Sequence, residues 1–129
     1  MKIAITNGRL VALAGKLDRV ETLYVAAGRI VAIGEAPEGW HANRVIDAKG
    51  LVVAAGLVDL AARLREPGFE YKATLESEMQ AAVQGGVTSL VYPPDTDPVL
   101  DEPGLVEMLK YRARNLNQAH VHPLGALTM

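Results

Sequence analysis

The sequence predicts an α/β protein in which a small β-sandwich, residues 1–54, precedes the first strand–helix units of a parallel α/β barrel, residues 55–129. Short runs of alternating apolar residues, separated by turn residues, predict the sandwich. A longer apolar run ends in charge, LVVAAGLVDLAARLREPG over Leu51–Gly68, and predicts a strand buried on both sides with polar groups at its C-terminal end. A complete barrel needs about 250 residues. The 129 residues therefore predict an incomplete barrel, and their abrupt end within a strand favours truncation.

The first part contains five predicted strands. They lie at Lys2–Thr6, Arg9–Ala14, Thr22–Ala26, Arg29–Gly34 and Val45–Asp47. Asn7-Gly8 is a strong signal for a tight turn, and Ala27-Gly28 separates the second pair of strands. The sequence therefore predicts two hairpins and one further strand.

The second part alternates strands with two helices. Thr74 is the predicted N-cap of the first helix, which Gly85-Gly86 ends. Its apolar face is predicted to contain Leu75, Met79, Ala82 and Val83. Val87–Tyr92 is the next buried strand, and His120–Ala126 is the last one.

The second helix is predicted to start at Asp101 as N-cap, with Pro103 in its first turn. One face combines three leucines with an arginine that we expect at its edge. These residues are Leu105, Leu109, Arg112 and Leu116. The two helices and three strands amount to about three-eighths of a barrel.

Charged residues crowd the end of the central apolar run. Asp59, Arg63, Arg65 and Glu66 lie within eight residues, directly before Pro67-Gly68. The segment GLVDLAARLREPG resembles the amidohydrolase superfamily and, within it, the dihydroorotases. The resemblance extends over the residues that follow, EYKATLESEMQAAVQGGVTSLVYPPDTDPVLD. The resemblance implies a (β/α)8 TIM barrel and a β-sandwich that a C-terminal segment completes. Strand edges without that segment are expected to be exposed.

Dihydroorotases carry Asp-x-His-x-His-x-Arg on the first barrel strand, and the two histidines bind catalytic zinc. The corresponding residues here keep Asp59 and Arg65 but place Ala61 and Arg63 where the histidines would be. Alanine has no lone pair, and the arginine guanidinium is always charged and has no acceptor atom. Strand alternation would point residues 61, 63 and 65 the same way, so Arg63 would repel a cation. We therefore predict no metal ligand, no bound zinc and no catalytic residue at this site.

A second departure concerns the turn after the second barrel strand. In dihydroorotases a Pro-Asn-Thr turn and the arginine hold the substrate's carboxylate, whereas this chain has Pro94-Asp95-Thr96. Asp95 beside a substrate carboxylate would cost roughly 1 to 4 kcal/mol at ~4 Å. Arg65 and Asp95 are thus the remnants of a substrate site, and two outcomes stay open: Arg65 binds an anion, or the two residues pair with each other.

The three histidines are predicted to have no role as ligands. His120 and His122 would face one side of the third strand. The resemblance, however, implies that the zinc pair belongs on the first strand, so these two are expected to be structural. His41 lies in a predicted surface loop without a partner nearby in sequence.

Composition excludes several functional classes. A net charge of −2 and a pI near 5.9 give no electrostatic footprint for nucleic acid. No stretch reaches the ~20 apolar residues that cross a bilayer. The chain has no cysteine and no apolar leader segment, so we expect a cytoplasmic protein without disulfides.

Three functions follow from the resemblance and from the lost ligands. The favoured one is a non-catalytic dihydroorotase-like subunit, since such proteins assemble with the catalytic subunit of aspartate carbamoyltransferase into hetero-oligomers and support its activity in pyrimidine biosynthesis. The second is an active metal-dependent cyclic amide hydrolase, such as a divergent dihydroorotase, hydantoinase or allantoinase, whose ligands come from a further C-terminal part. The third is a small-molecule binding module that uses Arg65 for a carboxylate.

Overall fold

A computed structural model describes residues 1–128 and shows a mixed α/β chain that divides into two compact units, Met1–Ala55 and Gly56–Met129. The first unit contains strands and one short 3-10 helix. In order these are β1 (Lys2–Ala12), the 3-10 helix (Leu13–Gly15), β2 (Leu17–Ala26), β3 (Arg29–Ile33), β4 (Arg44–Asp47) and β5 (Val52–Ala54). They form one five-stranded sheet in which β1 pairs with β2, β4 and β5, and β2 pairs with β3.

The predicted hairpin at Asn7-Gly8 is wrong. β1 runs continuously through these residues, with an irregular register between Ile5 and Gly8 and a positive φ of 60° at Asn7. The chain reverses later, through the 3-10 helix and Lys16. Gly8 is needed for close packing, since a Cβ there would lie 2.7 Å from Val53 Cγ2. The asparagine–glycine pair therefore marks a bulge, which satisfies the same backbone preference as a turn.

The second predicted hairpin is confirmed, with β2 and β3 antiparallel around Ala27-Gly28. Both residues of this turn have positive φ, 49° and 72°, as its tight geometry requires. β4 and β5 run parallel to β1 and bond to successive parts of it. Among the described residues this unit forms a single sheet layer, so the predicted second layer of the sandwich stays a prediction.

The second unit is a parallel sheet with two helices. Its elements are β6 (Leu57–Asp59), α1 (Leu75–Gln84), β7 (Val87–Tyr92), α2 (Pro103–Leu116) and β8 (His120–Pro123). The strand order is β6-β7-β8, and each pair is parallel. β8 ends three residues before the predicted end at Ala126. In the part of the chain that the structure describes, no helix is both long and apolar enough to cross a membrane.

The apolar run that starts at Leu51 was predicted to form one strand buried on both sides, and this is wrong. It divides into β5, which belongs to the sheet of the first unit, and β6, which starts the sheet of the second. Leu57 and Val58 are 60% and 59% exposed. Among the described residues β6 is an edge strand that pairs with β7 alone, and Leu57 and Val58 lack a covering element.

Both helices start close to the predicted residues. Thr74 caps α1 in a capping box with Ser77, and Gly85 caps its C-terminus. α2 begins after Glu102 with Pro103 at its first position, so the predicted N-cap Asp101 is wrong. The carboxylate of Asp101 instead accepts a hydrogen bond from the Thr128 hydroxyl.

The core of the second unit lies between the helices and β7. Its nine buried residues are Leu64, Leu75, Met79, Leu90, Tyr92, Leu100, Leu109, Ala113 and Ala119. Of the predicted α1 face, Leu75 and Met79 are buried and Ala82 packs at the margin, but Val83 is 45% exposed. This packing holds the ends of β6 and β7 in place, and the site residues follow those ends.

Candidate active-site remnant

The chain leaves regular strand geometry directly after β6. Asp59 accepts a hydrogen bond from the Ala61 amide at 2.9 Å, and the Ala62 amide donates to the Val91 carbonyl at 3.0 Å. Arg65 has a positive φ of 70°, which no regular strand contains. The premise that residues 61, 63 and 65 alternate as one strand is therefore wrong, because the strand ends at Asp59.

Arg63 and Asp95 form the ion pair at this site. Arg63 Nε donates to Asp95 Oδ2 at 2.6 Å, and the two side chains are 52% and 47% exposed. The sequence left open a pairing of Asp95 with Arg65. In the structure, Asp95 Oδ2 instead accepts from Arg63. The charge of Arg63, the residue that the sequence analysis compared with a zinc-binding histidine, is thus balanced by a carboxylate.

These side chains line one small cavity. It has a volume of about 200 Å³ and is lined by Arg63, Arg65, Phe69, Lys72, Tyr92 and Asp95. Lys72 Nζ lies 5.0 Å from the centroid of the Phe69 ring and 5.4 Å from that of Tyr71, in cation–π geometry. The cavity therefore contains three positive side chains and one negative side chain, which gives a local net charge of +2.

A buried carboxylate supports the wall of this cavity. Glu66 is only 3% exposed, and its Oε1 accepts the Leu75 amide at the start of α1 at 2.8 Å. Its Oε2 lies 2.5 Å from Arg112 Nη2 of α2. The Glu66 carbonyl accepts the Tyr92 hydroxyl at 2.9 Å. One residue next to Arg65 therefore joins both helices to β7.

Tyr92 is held in its neutral form. Burial, followed by the negative charge of Asp95, raises the pKa of the Tyr92 hydroxyl to about 12. Arg65 acts in the opposite direction. The phenol therefore remains a hydrogen-bond donor to Glu66 throughout the physiological pH range.

The zinc that the family uses does not fit the residues present. Ala61 lines a neighbouring cavity of about 420 Å³ together with Asp59, and neither Ala61 nor Arg63 offers a lone pair to a metal ion. Within residues 1–128 no group of three or more histidine, aspartate or glutamate side chains is placed to hold a metal ion. The guanidinium of Arg63 would also repel a cation here.

The histidines lie away from this cavity. His120 and His122 are exposed in β8 and line a different cleft, together with Lys110 and Arg114 of α2. His41 is exposed in the first unit. Sequence reasoning missed four contributors to the site, Glu66, Phe69, Lys72 and Tyr92. For Glu66 a signal existed, because Arg112 shares a face of α2 with three leucines and a charge beside apolar residues favours an acidic partner.

The family model and the relatives found by sequence indicate one family. The model of the dihydro-orotase-like family matches residues 50–129. A dihydroorotase-like protein of Pseudomonas aeruginosa is 51% identical over 99% of this chain and 30% of its own length. A dihydroorotase of Thermus aquaticus is 44% identical over 98% of this chain and 28% of its own length. The chain thus spans about 30% of the length of the curated relatives it matches.

One solved structure has a fold similar to that of this chain. The L-hydantoinase (dihydropyrimidinase) from Arthrobacter aurescens superposes with a TM-score of 0.81 at 24% identity, over 95% of this chain and 27% of that protein. At this identity the likeness concerns the fold alone.

Proposed function

Because the chain belongs to the dihydroorotase-like family, we propose that it is a non-catalytic dihydroorotase-like subunit that supports the assembly and activity of aspartate carbamoyltransferase in de novo pyrimidine biosynthesis. In this proposal the protein is cytoplasmic and works in a hetero-oligomer with the catalytic subunit of that enzyme. Residues 1–54 are an incomplete β-sandwich, and residues 55–129 are the first part of a TIM barrel.

The ion pair between Arg63 and Asp95 carries the proposal. In a hydrolase of this family, zinc lowers the pKa of its bound water from about 15.7 to about 7, and the resulting hydroxide attacks the amide. Here a cation, balanced by Asp95 at 2.6 Å, takes the place of one ligand, and Ala61 takes the place of the other. The structure around it is well packed, and the buried Glu66 network joins both helices to β7. A packed unit whose site lacks two metal ligands suits a subunit that acts through its shape.

The names of the two relatives support a distinction between dihydroorotase-like proteins and dihydroorotases. The relative at 51% identity is named dihydroorotase-like protein, whereas the one at 44% is named dihydroorotase. The second name is also the observation that favours the alternative, an active metal-dependent cyclic amide hydrolase with ligands from a further C-terminal part. Zinc-dependent hydrolysis of dihydroorotate separates the two functions.

The proposed partnership is tested by mixing the protein with the catalytic chain of aspartate carbamoyltransferase from the same organism. We expect co-sedimentation at a fixed ratio in analytical ultracentrifugation, together with higher carbamoyltransferase activity than the partner shows alone. An Asp95→Asn variant, which changes the cavity but no packed residue, should assemble equally well because shape rather than site chemistry is recognised. Separate sedimentation with unchanged carbamoyltransferase activity would contradict the partnership.

A further inference from the structure

We infer that His120 and His122 of β8 form a binding site for one divalent transition-metal ion of the kind that prefers imidazole ligands, such as copper(II) or zinc(II). The two histidines line a cleft of about 330 Å³ whose lining joins them to the C-terminal part of α2. They line none of the cavity that contains Arg63 and Asp95, so the inference is independent of the proposed function.

The sheet register places both histidines on one face of the sheet. β8 pairs with β7 so that His120 lies beside Ser89 and His122 beside Val91. The residue between them, Val121, packs against the core, so both histidines lie on the other face of the strand. Because both are exposed, they contribute nothing to the buried core, and a role in packing does not explain them.

The spacing of the two imidazoles suits a single ion. Residues two apart on a parallel strand are separated by about 6.6 Å. Each neutral imidazole has one lone pair, and a zinc–nitrogen bond is about 2.0–2.1 Å long, so two side chains that lean toward each other reach the same ion. The second imidazole then binds intramolecularly, which raises the affinity above that of a single histidine.

The rest of the cleft offers oxygen donors. Asn117 and Gln118 line it, and the amide oxygen of either one can complete the coordination together with water. α2 ends at Leu116 with Asn117 as its C-cap. The carbonyl groups at the C-terminus of a helix carry partial negative charge, which favours a cation nearby.

Two cationic side chains also line the cleft, and both are held by one carboxylate. Lys110 Nζ lies 2.7 Å from Glu107 Oε1, and Arg114 Nη2 lies 3.6 Å from Glu107 Oε2. Arg114 Nε also donates to the Lys110 carbonyl, so its guanidinium is directed back along α2. Two positive charges and one negative charge leave +1 near the histidines. We therefore expect micromolar rather than nanomolar affinity for a divalent ion.

Titration calorimetry of the whole chain with copper(II) chloride tests the inference. We expect saturable 1:1 binding, because copper(II) is the first-row divalent ion that a given nitrogen and oxygen site binds most tightly. His120→Gln and His122→Gln should each weaken binding by at least about 100-fold, since either change removes chelation. Magnesium chloride should give no saturable binding, because magnesium prefers carboxylate oxygens and the described lining of the cleft contains none. Absence of copper binding to wild type would overturn the inference, and so would magnesium binding of equal affinity.

His41 provides the matched control. It is the third histidine of the chain, it is exposed, and it belongs to the first unit. His41→Gln removes one surface imidazole, as the two test variants do, and we expect it to change copper affinity by less than about twofold. Equal weakening by His41→Gln and His120→Gln would overturn the inference, because it would show that copper binds surface histidines singly.

A spectroscopic measurement on wild type decides the matter should a variant fail to fold, which circular dichroism detects. Pulsed electron paramagnetic resonance of the 1:1 copper complex should show coupling to the nitrogens of two imidazoles. Coupling to one imidazole, or to none, would overturn the inference. The titrations contain no dihydroorotate and change neither Arg63 nor Asp95, so their failure leaves the non-catalytic assignment untouched.

Discussion

At the scale of single residues, the ion pair of Arg63 shows how a substitution changes the chemistry of a site. A histidine in this place would offer a lone pair to a metal, whereas arginine offers only donors. The sequence predicted this loss from residue types alone. It could not predict which arginine pairs with Asp95, because that pairing depends on the end of β6 at Asp59 and on the left-handed backbone at Arg65.

Tyr92 provides a pH-dependent test of the same region. Its pKa is raised from 10.0 to about 12 in the folded chain, so the folded state favours the neutral phenol. The stabilisation that results is fully present below pH 10 and is lost as the pH rises toward 12. Relative to Tyr92→Phe, wild type should lose up to about 2 to 3 kcal/mol of unfolding free energy across this window.

Urea unfolding at pH 8 and at steps from pH 10 to 12 measures this difference. At pH 8 wild type should exceed Tyr92→Phe by about 1 kcal/mol, the usual value of one hydrogen bond. Lysine and arginine titration affects both proteins alike and cancels in the comparison. A constant difference between the two proteins from pH 8 to pH 12 would contradict the burial of the phenol.

At the scale of secondary-structure elements, Glu66 connects what the sequence treats as separate pieces. It accepts from the first amide of α1 and pairs with Arg112 of α2. The start of α1 and most of its buried face were predictable because capping and periodicity are local properties, as Thr74 and Met79 confirm. The bulge at Asn7 was not predictable, and neither was the division of the apolar run that starts at Leu51, since both depend on partner strands distant in sequence.

Removal of the Glu66 carboxylate should destabilise both helix contacts at once. We expect Glu66→Ala to lower the unfolding free energy by about 2 to 4 kcal/mol, because a buried amide and a half-buried guanidinium lose their partner. Glu66→Gln keeps an acceptor for the Leu75 amide and should cost less. The matched control is Glu107→Gln, an exposed acid beside Lys110 and Arg114, which we expect to change the unfolding free energy far less than Glu66→Ala does. Equal losses of unfolding free energy for Glu66→Ala and Glu107→Gln would show that the Glu66 network stabilises the fold no more than an exposed ion pair does.

At the scale of the whole molecule, the mixed α/β class and the family were predictable from the residues around Asp59 and Arg65, and both are confirmed. Exposure of the strands was not predictable from hydrophobicity, because apolar residues such as Leu57 and Val58 are covered only where a neighbouring element exists. The proposed role in assembly depends on the whole molecule, because a partner would recognise the shape of its packed surface.

Hydrolysis of dihydroorotate in the presence of one equivalent of zinc tests whether the protein is non-catalytic, as proposed. We predict that the protein, alone or with aspartate carbamoyltransferase, shows turnover at least about 1000-fold below that of an active dihydroorotase, because Ala61 and Arg63 supply no lone pair for a zinc ion. The double variant Ala61→His, Arg63→His should recover little activity, because Asp95 and the groups that orient the ligands remain unsuited. Wild-type turnover that depends on stoichiometric bound zinc would contradict the claim.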